Sequence, residues 1–183
     1  MKKATREAYG TALAEIAKYN DRIVALDADL SKSTKSADFK KEYPDRFFNA
    51  GIAEANMIGM AAGMAASGLI PFASTFAMFA AGRAFEQIRN SVAYPKMNVK
   101  IVGSHSGITV GEDGATHQAI EDISLMRSIP NMVVINPCDA TETAAAVKAA
   151  AEYNGPVYIR TGRMAVEDLH ENGCSFEIGK GEV

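Results

Sequence analysis

A long uncharged run, residues 55–82, follows directly after Glu54 and constrains the fold of this chain more than any other feature. Residues 55–66 predict a helix with Ala, Met and Ile on every side, so we expect that helix to be buried all round. Glu54 then stands at a buried helix start, where an ionised carboxylate needs a donor, a cation or a ligand to offset its desolvation. The alternative is an exposed first-turn glutamate that complements the helix dipole.

The uncharged run is long enough to raise the possibility of a membrane span. Polar residues interrupt it, however, and Ser67-Gly68 followed by Pro71 indicates a helix end and a turn into a strand. The 183 residues, 48% of them hydrophobic, and a net charge of −3 are typical of one globular domain with a sizeable core. Lys2 and Lys3 precede a mixed polar helix and not an apolar signal segment, so we expect a cytoplasmic protein that contacts no membrane.

Several classes of site are not indicated by the sequence. The positive charge is dispersed, without a basic stripe or an aromatic RNA-binding signature, which argues against a nucleic-acid partner. Cys138 and Cys174 match no metal or redox spacing, so we expect two reduced thiols and no metal site on this chain. The dinucleotide-binding, P-loop, zinc-protease and serine-hydrolase motifs are all missing from the sequence.

Short apolar strands alternate with helical segments along the chain. The patterns predict helices over 5–19, 55–66, 78–92 and 140–153, a polar loop over 31–42, and strands over 23–27, 70–75, 99–103, 132–136 and 157–160. This alternation predicts an α/β fold, with a mostly parallel twisted sheet and helices on both faces. Ligands bind such sheets at the carboxyl ends of the strands.

Polar side chains follow three of the predicted strands and also occupy one glycine-rich loop. They are Asp27 and Asp29, then Ser104, His105 and Ser106, then Arg160 and Arg163, and in the loop 107–118 Asp113 and His117. A carboxylate and an imidazole on such a loop could bind a sugar or transfer protons. A lone histidine is more often structural, which we expect for His170, but two histidines near neighbouring strand ends favour a site.

Four motifs occur in a fixed order along the chain: Gly51-Ile-Ala-Glu54, Ser74-Thr-Phe-Ala-Met-Phe79, Gly111-Glu-Asp-Gly-Ala-Thr-His-Gln118, and Ile129-Pro-Asn-Met with Asn136-Pro-Cys-Asp139. Together they resemble the pyrimidine-binding domain of transketolases, over nearly the whole chain. These enzymes of the pentose phosphate pathway use thiamine diphosphate to move a two-carbon ketol unit from a ketose phosphate to an aldose phosphate. The resemblance therefore implies the thiamine-diphosphate-binding fold and a transferase activity.

The resemblance also implies roles for individual residues. Glu54 would hydrogen-bond ring nitrogen N1′ of the cofactor's aminopyrimidine, and His117 would take part in catalysis at the donor sugar. The other implied cofactor-binding residues are Asp29, Phe76 and Phe79, although the two phenylalanines could instead be ordinary core residues. The implied substrate-binding residues are Asp113 and His117 at the donor hydroxyls, and Arg6, Ser33, His105 and Arg163 at the phosphate, with Arg160 as the alternative to Arg163.

Two departures from the family pattern bear on the assembly. Gly82 stands where many transketolases have a tyrosine of the pyrimidine pocket. The Gly-Asp-Gly…Asn segment, which in the family binds the diphosphate and Mg²⁺ or another divalent ion, does not occur in this sequence. The resemblance thus implies a diphosphate-binding partner domain or subunit, in a homodimer or a heterotetramer, and an isolated chain without activity. We expect residues 1–168 to form the pyrimidine-binding domain and 169–183 to be a linker toward a C-terminal domain.

Other readings of the same residues remain open. 1-Deoxyxylulose-5-phosphate synthases carry a similar loop, and the β subunits of 2-oxo-acid dehydrogenases share the Gly-Ile-Ala-Glu motif. A non-catalytic assembly module of this fold is the alternative outside enzymes. The presence of Glu54, His105, Asp113 and His117 favours a catalytic chain.

Overall fold

The computed structural model describes residues 2–170 and 174–181, so part of the predicted linker, 171–173 and 182–183, lies outside the described residues. The strands are β1 (Lys2–Ala4), β2 (Ile23–Asp27), β3 (Phe47–Asn49), β4 (Ile70–Phe76), β5 (Lys100–Ser104), β6 (Val133–Ile135), β7 (Val157–Arg160) and β8 (Ala165–Glu167). The α-helices are α1 (Thr5–Ile16), α2 (Ser31–Thr34), α3 (Ser36–Glu42), α4 (Glu54–Ala66), α5 (Ala77–Arg83), α6 (Phe85–Gln87), α7 (Asp122–Arg127) and α8 (Ala140–Glu152).

A six-stranded sheet forms the centre of the fold, in the order β3-β2-β4-β5-β7-β6. Every neighbouring pair in this sheet is parallel. Strands β1 and β8 pair separately as a short antiparallel ribbon. The predicted α/β fold class is confirmed, because helical connections between parallel strands leave the sheet covered on both faces.

Alternating side chains of the strands supply two hydrophobic cores, one on each face of the sheet. In β2, Val24 and Leu26 join the core formed with α4, α5 and α7, whereas Ile23 and Ala25 join the core formed with α1 and α8. Tyr9 of α1 is fully buried in the second core. This two-residue alternation is the geometric signature of a strand buried on both sides.

The prediction of a polar loop over 31–42 is wrong, since α2 and α3 occupy most of this segment. The hydroxyls of Thr34 and Ser36 donate hydrogen bonds to the buried carboxylate of Asp27, at 2.7 and 2.8 Å. Phe39 of α3 is fully buried. The Asp27 carboxylate and the buried ring of Phe39 thus anchor a segment of mostly polar residues in helical conformation, which composition alone does not reveal.

The continuous helix predicted over 78–92 is also wrong. Helix α5 ends at Arg83, Ala84 leaves helical geometry with φ −109° and ψ 10°, and the segment continues as α6 and a π-helical turn, Ile88–Ala93. Ile88 and Val92, which lie after the break, are both fully buried. Packing therefore overrides a helix pattern that contains no proline and only one internal glycine. Helix α1 is likewise shorter than predicted and ends at Ile16.

Helix α4 is not buried all round, contrary to the sequence-based expectation. Met57, Ile58 and Ala61 are fully buried, whereas Asn56 and the two glycines of the helix, Gly59 and Gly63, are exposed. Within residues 2–170 and 174–181, no other element covers that face. Across the same described residues, none of the helices combines the length and apolar character that a membrane span requires.

Candidate functional site

The parallel strands bring polar and aromatic groups together at one edge of the sheet. The carboxyl ends of β2, β4, β5 and β7 place Asp27, Phe76, Ser104 and Arg160 along this edge, because all four strands run in the same direction. The loops that follow them carry most of the predicted site residues. The location therefore matches the expected ligand-binding edge of such a sheet.

Glu54 begins α4 and is 4% exposed, so its carboxylate is buried as the sequence indicated. Its partner is Arg83 at the end of α5, whose Nη1 donates to Glu54 Oε1 at 3.0 Å. The Arg83 guanidinium also lies 3.9 Å from the centre of the Phe79 ring. A cation thus compensates the buried carboxylate, while about half of the arginine side chain, 52%, stays exposed to solvent.

Four aromatic rings pack beside this ion pair. Phe76 stacks on Phe79 with ring centres 5.8 Å apart, and on His105 with centres 4.0 Å apart. His117 meets Phe79 edge-on at 5.3 Å and Phe76 edge-on at 6.1 Å. The two phenylalanines and the two histidines, predicted from separate motifs, therefore form one cluster, which we call the aromatic cluster. Such faces and edges suit a flat heteroaromatic ring.

His105 is held in an uncommon backbone conformation directly after β5, with φ of 56°. Arg6 Nη1 lies 3.1 Å from His105 Nε2, and Ser104 Oγ lies 2.9 Å from Nδ1. Because arginine can only donate, Nε2 accepts, and the neutral ring carries its proton on Nδ1. Burial and the charges of Arg6 and Arg163 lower the pKa of His105 to about 4, so the ring is neutral at pH 7.

Arg6 and Arg163 form a cationic group with His105 between them. Besides contacting His105, Arg6 Nη1 donates to the main-chain oxygen of Ser33 at 3.0 Å, so Ser33 meets Arg6 through its carbonyl and not its hydroxyl. Arg163 donates to Val110 O at 2.6 Å and to Glu112 Oε1 at 3.0 Å. Burial and the nearby Arg163 lower the pKa of Arg6, as expected where two cations share a site.

Arg160 is engaged elsewhere. Its Nε donates to the buried carboxylate of Asp122 at 2.9 Å, and its two other nitrogens face Asn136 and the carbonyl of Ala119. Of the two predicted alternatives, Arg163 is therefore the one that lies with the cationic group. The role of either arginine in binding a substrate stays a prediction.

Asp29 and Asp113 lie at the solvent-exposed margin of this edge. Asp29 has φ of 64° and accepts a hydrogen bond from Asn49 Nδ2 at 2.9 Å. Asp113, in the glycine-rich loop, acts electrostatically on His105. His117 lies in the same loop, and its Nδ1 is 2.9 Å from Thr116 Oγ1. The structure thus gathers the predicted residues around one edge, and their individual roles stay predictions.

Sequence reasoning missed two residues of this region. Arg83 is the first charge after the uncharged run that Glu54 begins, and this bracketing could have indicated the pair. Asp27 was noted only as following a strand, yet it is fully buried and organises the segment that carries Asp29 and Ser33. Burial raises the pKa of Asp27, and the hydroxyls of Thr34 and Ser36 act against that rise.

A separate cluster joins Cys138, Asp139 and His170, whose possible metal-ligating atoms lie within 4.8 Å of one another. The Asp139 carboxylate already caps α8 through Glu142 N at 2.7 Å. Its other oxygen accepts from His170 Nδ1 at 2.7 Å and from the main-chain nitrogens of Leu169 and His170. These donors account for the carboxylate as a structural tie between α8 and the residues after β8.

Comparison with known proteins matches residues 1–168 to the family described as "Transketolase, pyrimidine binding domain". The "Putative transketolase C-terminal section" of Methanocaldococcus jannaschii is 60% identical over 183 residues, which covers 99% of this chain and 58% of that protein. Human transketolase is 45% identical over 183 residues, which covers 100% of this chain and 29% of the human protein. The chain thus spans little more than half of the first relative.

Solved structures agree with the sequence comparison. One described as "Split gene transketolase, inactive beta4 tetramer" has a TM-score of 0.90 and 60% identity, covering 100% of this chain and 59% of that chain. The transketolase of Pichia stipitis, in complex with sedoheptulose 7-phosphate, has a TM-score of 0.84 and 28% identity, covering 94% of this chain and 27% of that chain. The chain belongs to the transketolase pyrimidine-binding domain family.

Proposed function

We propose that this chain is the pyrimidine-binding half of a thiamine-diphosphate-dependent transketolase, which transfers a two-carbon ketol unit from a ketose phosphate to an aldose phosphate. The observation that carries the proposal is the buried carboxylate of Glu54 beside the aromatic cluster. A carboxylate in low dielectric binds a ring nitrogen strongly, and neighbouring aromatic faces orient the ring.

The residues of this edge fit the aminopyrimidine end of the cofactor. Among the described residues, the side chain that pairs with the Glu54 carboxylate is the half-exposed Arg83, so the carboxylate can exchange that partner for a ring nitrogen. Bound thiamine diphosphate supplies the nucleophilic carbon that carries the ketol unit. Glu54 would hold a proton at the ring nitrogen, while Phe76 and Phe79 would orient the ring and exclude water. Asp29 would lie at the margin of the cofactor.

The substrate side of the proposal uses the cationic group and the glycine-rich loop. Arg6, Arg163 and the neutral His105, with Ser33 nearby, provide donors and charge for a sugar phosphate. Asp113 and His117 would bind the donor hydroxyls, and His117 would move a proton during cleavage and transfer. We assign the phosphate contact to Arg163 and not to Arg160, because Arg160 pairs with the buried Asp122, whereas Arg163 pairs with the largely exposed Glu112, a partner that it can exchange for a phosphate.

The proposed enzyme needs a second polypeptide or domain. A diphosphate-binding transketolase subunit would bind the diphosphate and Mg²⁺ or another divalent ion, in a homodimer or heterotetramer in the cytoplasm. The exposed face of α4, with Asn56, Gly59 and Gly63, offers small side chains for a close contact in that assembly. Residues 1–168 would form the domain, and 169–183 would lead toward a further domain.

The experiment is a transfer assay on the complex of this chain with a diphosphate-binding transketolase subunit from the same cells. Xylulose 5-phosphate and ribose 5-phosphate are supplied with thiamine diphosphate and Mg²⁺, and sedoheptulose 7-phosphate is measured. Glu54→Gln keeps the shape of the side chain and removes its charge, so we expect turnover to fall at least about a hundredfold. Glu86→Gln, an exposed change on α6, is the matched control.

Full turnover by the Glu54→Gln complex would contradict the catalytic proposal. A complex that ignores the ketose phosphate but condenses pyruvate with glyceraldehyde 3-phosphate would identify a deoxyxylulose-phosphate synthase instead. A complex that assembles stably, binds the cofactor and turns over neither pair would favour the assembly module.

A further inference from the structure

Arg160, at the carboxyl end of β7, connects three separate parts of the chain. Its Nε donates to Asp122 Oδ2 at 2.9 Å, Nη1 to Asn136 Oδ1 at 3.4 Å and Nη2 to Ala119 O at 3.3 Å. Its side chain is only 18% exposed. Each guanidinium nitrogen therefore has a protein oxygen as its acceptor, a use of the planar fork that lysine cannot reproduce.

The Asp122 end of this connection is anchored in the core. Asp122 is fully buried at the start of α7, and the hydroxyl of Tyr158 donates to the same Oδ2 at 2.9 Å. Tyr158 reaches this position across Gly103, where a Cβ atom would overlap its hydroxyl. The carboxylate thus has a fixed position, and it fixes the guanidinium in turn.

The Ala119 end of the connection lies at the base of the glycine-rich loop, where Ser106 and Gly107 meet Ala119. We call this base the neck of the loop. Gly107 N donates to Ala119 O at 2.8 Å, and Ser106 forms an isolated parallel bridge with Ala119. Next to this bridge, Gln118 Nε2 donates a hydrogen bond to Ile108 O at 3.0 Å. Arg160 therefore donates to the Ala119 carbonyl, the same carbonyl that joins the two segments of the neck. His117 lies two residues before Ala119.

We infer that Arg160 is a positioning residue, which holds the neck of the loop 106–119 against Asp122 and so keeps His117 against Phe79. The inference rests on the proposed transketolase function, in which His117 acts on the donor sugar. Removing the guanidinium leaves the backbone of the neck intact but frees its position relative to the aromatic cluster. Small displacements of a reacting group reduce turnover strongly, by about a hundredfold for 1 Å.

The inference predicts a different behaviour for Arg160 than for Arg6, which belongs to the cationic group. A residue that positions His117 matters equally for donors with and without a phosphate. A residue that binds the phosphate matters most for phosphorylated donors. The two donors to compare in the complex with the diphosphate-binding subunit are xylulose 5-phosphate and hydroxypyruvate, which carries no phosphate and donates the same two-carbon unit as its carboxylate leaves as carbon dioxide.

Two variants allow the test to proceed without leaving Asp122 as an unpaired buried charge. Arg160→Lys keeps a cation beside Asp122 but loses the fork that reaches Ala119. The double variant D122N/R160M removes both charges together. We expect each to lower kcat/KM about tenfold or more with both donors, and Arg6→Met to lower it much more with xylulose 5-phosphate than with hydroxypyruvate.

A double-mutant cycle separates positioning from general damage. If Arg160 acts through His117, then Arg160→Lys added to His117→Ala lowers kcat/KM by less than about twofold further. Cofactor affinity, measured by titration, should stay unchanged in Arg160→Lys. A loss confined to xylulose 5-phosphate would make Arg160 a phosphate ligand, and a full additional loss in the His117→Ala background would show that it does not act through His117.

Amide hydrogen exchange tests the inference without any turnover. In Arg160→Lys, we expect faster exchange at the Gly107 amide and across 107–119, relative to the wild-type chain in the same complex. Unchanged exchange there would overturn the positioning role. A wild-type complex that transfers no ketol unit, but whose loop exchange depends on Arg160, would instead overturn the proposed function and leave the tie between Arg160 and the loop established.

Discussion

Arg83 and Glu54 form an ion pair of 3.0 Å at the two ends of the uncharged run. The same guanidinium covers Phe79 at 3.9 Å from the ring centre. It follows directly after Gly82, the position at which the resemblance to transketolases implies a tyrosine in many members of the family. The arginine thus compensates Glu54 and covers a ring face that the proposed cofactor would use.

This ion pair should compete with thiamine diphosphate. Arg83 stabilises the cofactor-free state, since it gives the buried carboxylate a partner that the ring nitrogen must replace. We expect Arg83→Met to raise the affinity of the complex for thiamine diphosphate about three- to tenfold, measured by calorimetric titration. Arg89→Met, an exposed change in the following segment, should leave the affinity unchanged. Weaker binding by Arg83→Met would mean that the arginine helps to hold the cofactor.

His105 should make the stability of the chain depend on pH in the acid range. The folded chain holds its pKa at about 4, below the ordinary value of 6.5, so the unfolded chain takes up the proton first as the pH falls. The stabilisation is fully present above pH 6.5 and is lost as the pH falls toward 4. Urea unfolding between pH 4.5 and 7.5 should show this slope, with a total on the order of 2 kcal/mol. His105→Gln should flatten it, and an equal slope in the variant would refute the assignment.

Lys100 should contribute strongly to stability without serving the site. It is fully buried at the start of β5, and its ammonium donates to Asn98 Oδ1 at 2.6 Å and to the carbonyls of Tyr153 and Gly155 at 2.7 Å each. Lys100→Met removes the donor from both carbonyls and leaves Asn98 Oδ1 with the Gly155 main-chain nitrogen at 3.4 Å, so we expect a loss of about 2–4 kcal/mol in the free energy of unfolding.

The measurement for Lys100 is urea unfolding of the full chain at pH 7. Lys148→Met, on the exposed side of α8, is the matched control and should change the unfolding free energy by less than about 0.5 kcal/mol. A similar small change in Lys100→Met would show that water replaces the ammonium at these carbonyls.

Two glycines of the loop 107–118 can be compared by substitution. Gly111 and Gly114 both have positive φ, 89° and 74°, so an alanine is strained at either position, and more so at Gly114, where ψ of −165° gives a conformation that is essentially restricted to glycine. Only at Gly111 would the added Cβ overlap the Arg163 guanidinium, whereas it meets nothing within 4 Å at Gly114. We expect Gly111→Ala to raise the KM for xylulose 5-phosphate at least about fivefold more than Gly114→Ala. Equal effects of the two changes on this KM would show that Arg163 does not bind the substrate phosphate.

Much of the architecture could be predicted from local patterns. The apolar strands at 23–27, 70–75 and 157–160 and the turn at Ser67-Gly68 each agree with the structure within a residue or two. Their alternation with helices predicts a parallel sheet, and a parallel sheet brings His105 and Arg160 to one edge whatever the strand order is. The burial of Glu54 was one of two alternatives that the sequence left open, and the structure decides for the buried carboxylate.

The breaks and helices that local patterns missed depend on side-chain contacts and packing. Asp27 accepts hydrogen bonds from the hydroxyls of Thr34 and Ser36, seven and nine residues further along the chain, and the segment after Met78 breaks at Ala84 where it packs on the core. Helix α4 keeps an open face because the part of the chain that the structure describes brings nothing against Gly59 and Gly63. None of these outcomes follows from the periodicity of apolar residues alone.

The sequence by itself determined which residue types reach the site edge, since strand direction and the positions of the polar residues suffice for that. Only the tertiary structure decided which of them touch. It pairs Glu54 with Arg83, which lies 29 residues further along the chain. It also places Arg163 in the cationic group and pairs Arg160 with Asp122. The physical reason is range: periodicity reports which face a residue occupies, whereas ion pairs and hydrogen bonds depend on distances of about 3 Å between elements far apart in sequence.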